Sequence, residues 1–151
     1  MRDRLAQAMK QALKDKDQVA LATIRLITAA LKDRDIAARS QDRHDGISDD
    51  EILAMLQTMI KQRQESARMY DEGGRPDLVK TEQAEIAIIQ QFLPEPLSQA
   101  EVESAIEAAM ASTGAASVRD MGKVMSHLKA EYAGQIDFSS VSQLVKSRLM
   151  G

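Results

Sequence analysis

Nucleophilic catalysis needs an activated hydroxyl, thiol or amine held beside a base. The 151-residue chain holds no cysteine and two histidines, His44 and His127. Thiolate nucleophiles, thiolate metal sites and disulfides are therefore excluded. His44 stands among Asp42, Asp45, Asp49 and Asp50, a group with the composition of a metal cluster. Its spacing fits neither an EF-hand loop nor a His-x-x-x-His helix pair. A solvated acidic loop ahead of a helix start, where negative charge is favoured, accounts for it better. Gly73-Gly74 lacks the spacing and the preceding strand of a phosphate loop, so ATP use has no support. The expectation is no catalytic residue, no metal and no cofactor.

Two groups of charges carry more information. Arg25 interrupts the apolar run from Val19 to Leu31. A buried guanidinium without a partner would be very costly. An ion pair with a carboxylate on a later helix is expected, with Glu82 or Glu85 as partner and with Arg63 and Arg75 in the same network. Ligand binding is the alternative. From Gly114 onward, five basic residues (Arg119, Lys123, Lys129, Lys146, Arg148) outnumber Asp120, Glu131 and Asp137, and His127 adds to them. Lys123 and His127 are four apart and share a helix face. Gly122 would let a phosphate or a second backbone approach that helix. These seven residues form a candidate nucleic-acid-binding set that would hold a phosphate backbone without reading bases. The competing reading is a solvated surface, with Gly122 at a tight helix–helix contact. Aromatic residues make up only 3%, which argues against stacking on single-stranded bases. The shape and backbone of a folded RNA such as tRNA are left as the target.

The elements that must position these residues read as helices throughout. Leu5, Met9, Ala12 and Leu13 recur at helical spacing from Arg2 to Lys14. Asp17 offers a cap for a second helix, apolar almost all round and expected to be covered on several sides. Ser40–Gly46 is a polar loop. Ser48 and Glu51 then form a capping box for a long helix carrying Ile52, Met55, Leu56, Met59 and Ile60, ended by Gly73-Gly74. Pro76 begins a fourth helix with Leu78, Val79, Glu82, Ile86, Ile89 and Phe92 down one side. Pro94 and Pro96 stop it. Ser98 with Glu101 and, more weakly, Ser117 with Asp120 open two further helices, and Asp137 or Ser139 caps a last one. Met55, Met59, Met121 and Met125 are read as core filler.

The expected fold is all-α: an N-terminal four-helix subdomain over residues 1–94, then a C-terminal three-helix bundle over residues 97–151. The second part is near the lower size limit for folding alone. Hydrophobic residues at 44% and charged residues at 28% suit a folded globular chain, and the net charge of −3 gives no global pull toward nucleic acid. No apolar run nears the ~20 residues that span a bilayer. MRDRLAQAMKQ lacks the apolar centre of a signal peptide. No membrane partner and a cytoplasmic location are therefore expected.

Several strings, taken in order, resemble the GatB/YqeY family: Ile24-Arg25-Leu26-Ile27 with Ala30-Leu31-Lys32, Ile60-Lys61-Gln62-Arg63 with Glu65-Ser66, Gly74-Arg75 with Asp77-Leu78, Glu82 with Glu85-Ile86, and Phe92-Leu93-Pro94. Asp120-Met121-Gly122-Lys123-Val124-Met125 and the spaced Val141, Val145 and Leu149 complete the set. The likeness covers nearly the whole chain and is to a stand-alone YqeY-like protein. The family includes the helical tail of the B subunit of the tRNA-dependent amidotransferase, which resembles an appendage that binds the tRNA body while other domains do the chemistry. The resemblance implies a non-catalytic, tRNA-associated accessory protein. Its alternatives are a module docking on an aminoacyl-tRNA synthetase or an amidotransferase, and, by family label only, a carbon–nitrogen ligase using glutamine as amido donor.

Overall fold

Short polar side chains that take orphan backbone donors mark where most of the helices start. The computed structural model describes residues 1–150, and no strand occurs among them. α1 is Arg2–Asp15. α2, Gln18–Arg39, begins where Asp17 accepts from the Ala20 amide at 3.1 Å. α3, Asp49–Glu72, opens on the reciprocal box of Ser48 and Glu51, and α4, Pro76–Gln90, has its proline in the first turn. α5, Gln99–Thr113, opens on the second box, Ser98 with Glu101. The expected helix at Ser117 instead starts as a 3-10 turn, Val118–Asp120, before α6, Met121–Tyr132. α7 is Phe138–Met150. Asp137 rather than Ser139 caps it, accepting from the Ser139 amide at 3.1 Å.

The chain divides into two compact units, Met1–Leu93 and Pro94–Gly151. In the first, α3 packs on α4, and α2 packs on α1 and α4. Ile27, Ile52, Met55, Leu56 and Ile89 are buried at its centre. Each fully buried aliphatic side chain contributes about 1.5–3 kcal/mol, and the methionines fill core space as their spacing suggested. α2 departs from expectation. Ala20, Leu21, Ile24, Ile27 and Leu31 face the core, but Val19, Leu26 and Ile36 stay about half exposed. One face of α2 is covered, not several. Leu13 of α1 is likewise exposed at 54%.

A salt-bridged knot ties α1 to the loop after α2. Asp35 accepts from both terminal nitrogens of Arg2, at 2.6 and 2.9 Å, and from the Ile47 amide at 2.9 Å. Gly46 makes the knot possible: its φ is +81°, and a Cβ there would run into the Asp35 carboxylate. The Arg2 hydrogen bond comes first among the causes that hold the Asp35 carboxyl below its ordinary range, at about 2. In the same first turn of α1, Arg4 lies over the Phe92 ring at 5.7 Å and donates to the Gln91 carbonyl at 2.8 Å.

In the second unit α5 packs on α6 and α6 on α7. Ile106, Ala109, Val124, Leu128 and Val145 are fully buried between them. The segment that follows the prolines is fastened to the α6–α7 loop. The Leu97 amide donates to the Gln135 carbonyl at 3.0 Å, and the Gln135 side chain donates to the Glu95 carbonyl at 3.3 Å.

Candidate nucleic-acid interface

The start of α6 brings Arg119, Gly122 and Lys123 together on an exposed surface. Asp120 shapes this corner. Its carboxylate turns back to accept from the Ala116 and Ser117 amides at 2.9 and 3.2 Å. Those bonds, followed by the nearby Lys123 charge, hold its carboxyl below the usual range. No side chain caps α6 itself. Nothing stands within 4 Å of where a Gly122 Cβ would be. The competing reading of Gly122 at a tight helix–helix contact is thereby corrected: among the described residues the glycine faces open space. A glycine inside a helix costs about 0.5–1 kcal/mol relative to alanine, and no packing within the chain repays it. The open surface and the positive end of the helix dipole would admit an anion there.

The other candidate residues are partly engaged. His127 lies 3.4 Å from Glu131, one turn further along α6. Lys129 stands over the Phe138 ring at 6.0 Å. Arg148 reaches Glu107 of α5 at 3.2 Å. Lys146 is exposed on α7, in a depression it lines with Gln143, Ser147 and Met150. The basic surface is therefore not continuous: Glu131 and Glu107 each answer one of its members. The count from Gly114 onward omitted α5, which brings Glu101, Glu103 and Glu107 into the same unit. Among the described residues Arg119, Lys123 and Lys146 are exposed with no ion pair to a carboxylate, and Lys129 stands over an aromatic face.

The expected N-terminal ion-pair network forms in part. Arg63 of α3 donates through Nε to Glu85 of α4 at 2.8 Å and through Nη1 to the Met59 carbonyl at 3.1 Å, with both side chains largely buried. Glu82 is close to this pair but does not share it. Burial pushes its carboxyl up from the ordinary value, Glu85 adds to the rise, and Arg63 opposes it. Arg75 does not join; it pairs with its neighbour Asp77 at 3.2 Å on the surface. Arg25 is a correction as well. It is exposed and makes no ion pair, because it sits on the side of α2 that the core leaves uncovered. The apolar run around it in sequence misled.

Other ion pairs were missed. Arg68 bridges Glu65 and Glu72 within α3, at the helical spacing that the sequence displays openly. Arg43 pairs with Glu51, adding to the capping box. Arg2–Asp35 joins residues 33 apart, and no local signal announces it. Among the described residues no three His, Cys, Asp or Glu side chains are grouped to hold a metal ion. No helix among them is long and apolar enough to cross a membrane.

The order of motifs found along the sequence has its counterpart in a whole-chain match. Residues 2–149 match the family described as Yqey-like protein. The chain belongs to the YqeY family. Curated relatives include proteins named "Altered inheritance of mitochondria protein 41, mitochondrial" from three fungi. That of Meyerozyma guilliermondii is 35% identical over 59% of this chain and 44% of its own length. That of Eremothecium gossypii is 32% identical over 64% and 51%, and that of Pyrenophora tritici-repentis 26% identical over 95% and 77%. The chain spans about half the length of the first two. The names overturn the cytoplasmic expectation, since each of these relatives is called mitochondrial. The lack of a bilayer-spanning run and of a signal-peptide centre, on which that expectation rested, does not separate the two compartments.

Proposed function

We propose that this YqeY family protein is a non-catalytic, tRNA-associated accessory protein whose C-terminal unit touches the phosphate backbone at the start of α6. One observation carries the reading. Gly122 leaves the first turn of α6 open between two exposed cations, Arg119 and Lys123, at no evident benefit to the fold. Such a corner suits one or two phosphates. Lys146 and Lys129 are secondary contacts, while His127 and Arg148 are held by Glu131 and Glu107. This footprint is thin by nucleic-acid-binding standards, so affinity is modest and falls only shallowly with salt. The amidotransferase chemistry associated with the family name finds no nucleophile here, and glutamine-dependent ammonia release is expected to be nil.

Fluorescence titration with bulk tRNA across a salt series tests the reading. Two phosphate contacts give a slope of log affinity against log salt of about −1.5 to −2. Arg119→Ala and Lys123→Ala should each flatten that slope by about one contact's share. No binding at low salt removes the proposal.

A further inference from the structure

α2 carries a second apolar face that its own chain leaves bare. At 3.6 residues per turn, Ala22, Leu26, Ala29, Asp33 and Ile36 point away from the buried Ala20, Ile24, Ile27 and Leu31. All five are exposed, Leu26 at 47% and Ile36 at 52%, with Val19 at the edge at 50%. A face turned to water is ordinarily polar. The spacing alternates four and three residues, the repeat by which one helix lies along another. Asp33 stands inside this stripe and Arg25 on its flank. Both are exposed, and among the described residues neither has an ion-pair partner.

The placement of these residues is symmetric. Arg25 and Asp33 are each four residues from Ala29, and Ala22 and Ile36 are each seven residues from it. We propose that α2 docks on α2 of a second copy of this chain, antiparallel, about a two-fold axis beside Ala29. In an isologous contact each residue meets its mirror position. Ala29 then faces itself, which lets the two helices approach closely. Ile36 packs over Ala22 of the second copy at both ends, and Arg25 stands level with the second copy's Asp33. Opposite charges set at equal distances from a small central residue make the face complementary to itself, which a two-fold contact uses twice. The stripe from Val19 to Ile36 is about 26 Å long and one helix wide. It is smaller than the ~800 Å² per partner of a standard interface, so the dimer is weak and concentration-dependent. This inference is independent of RNA binding.

Sedimentation equilibrium on the full chain, up to about 1 mM, tests it, with circular dichroism confirming that each variant keeps its helix content. Wild type should pass from monomer to dimer across the range. Ala29→Glu should weaken the dimer at least ~10-fold by setting two like charges face to face on the axis. Arg25→Asp and Asp33→Arg should each weaken it about threefold or more through like-charge juxtaposition, and the double swap Arg25→Asp/Asp33→Arg should restore it. A chain that stays monomeric throughout overturns the proposal, even if it captures another protein through α2. A dimer indifferent to Ala29→Glu, or one that the double swap fails to restore, overturns it equally.

Discussion

The two units spend their charges differently. In the first, cations close the structure: Arg63 links α3 to α4, Arg2 pairs α1 with Asp35 of α2, and Arg4 covers Phe92. In the second, one cross-helix ion pair, Arg148 with Glu107, is set at the surface, and Arg119, Lys123 and Lys146 point to solvent. The contrast teaches where to look for function. A cation that holds helices together is committed to the fold, whereas one without an ion-pair partner is available to a ligand. Arg25 is among the first unit's exposed cations with no ion pair among the described residues, and it flanks the exposed apolar stripe of α2.

The largest test of this comparison concerns the cores. Leu56→Ala in the first unit and Leu128→Ala in the second each remove a fully buried side chain and should each cost about 2–5 kcal/mol. Followed by urea unfolding, each should lower a transition belonging to its own unit. One transition lowered equally by both would mean that the units unfold together. Next come the ion pairs. Arg63→Ala should cost about 1–3 kcal/mol, because it strands the half-buried Glu85 beside Glu82. Arg148→Ala, on an exposed pair, should cost less than about 0.5 kcal/mol. Equal losses would erase the distinction drawn here.

Glycine sharpens it further. Gly46→Ala places a methyl against Asp35 at a positive φ and should destabilise by about 1–2 kcal/mol. Gly122→Ala, in open helix, should stabilise by about 0.5–1 kcal/mol and at the same time weaken tRNA binding. Stabilisation with undiminished binding would separate Gly122 from any phosphate. The smallest effect belongs to Glu82. Its carboxyl is raised in the folded state by burial and by Glu85, so ionising it opposes folding. That penalty is absent below the unfolded value and complete above the folded one. Glu82→Gln should therefore stabilise slightly at neutral pH and not at all in acid. A gain that persists in acid would point to packing instead of charge.

Helix starts were legible in the sequence because they are local. Ser48 with Glu51 and Ser98 with Glu101 satisfy each other across three residues, and both boxes form. Asp120 was harder to read: its carboxylate serves Ala116 as well as Ser117, and the chain there tightens into a 3-10 turn before α6. Periodicity reads α2 as apolar almost all round but does not say which side finds a partner, so the carboxylate expected for Arg25 is one it does not meet. Partner choice depends on tertiary placement. Glu85 rather than Glu82 takes Arg63, and three residues along α4 decide it. At the candidate site Arg119, Gly122 and Lys123 could be listed from sequence. The quenching of His127 by Glu131 was readable at helical spacing, whereas that of Arg148 by Glu107 spans 41 residues and was not.

The hydrogen bonds from Leu97 to Gln135 and from Gln135 to Glu95 bear on how the C-terminal unit can be isolated. A fragment beginning at Ser98 would contain every helix of that unit yet discard the strip of chain that buckles the α6–α7 loop. Its loop would lose an acceptor and a donor partner together. A fragment starting at or before Pro94 keeps the buckle fastened, and that is where the gene should be cut.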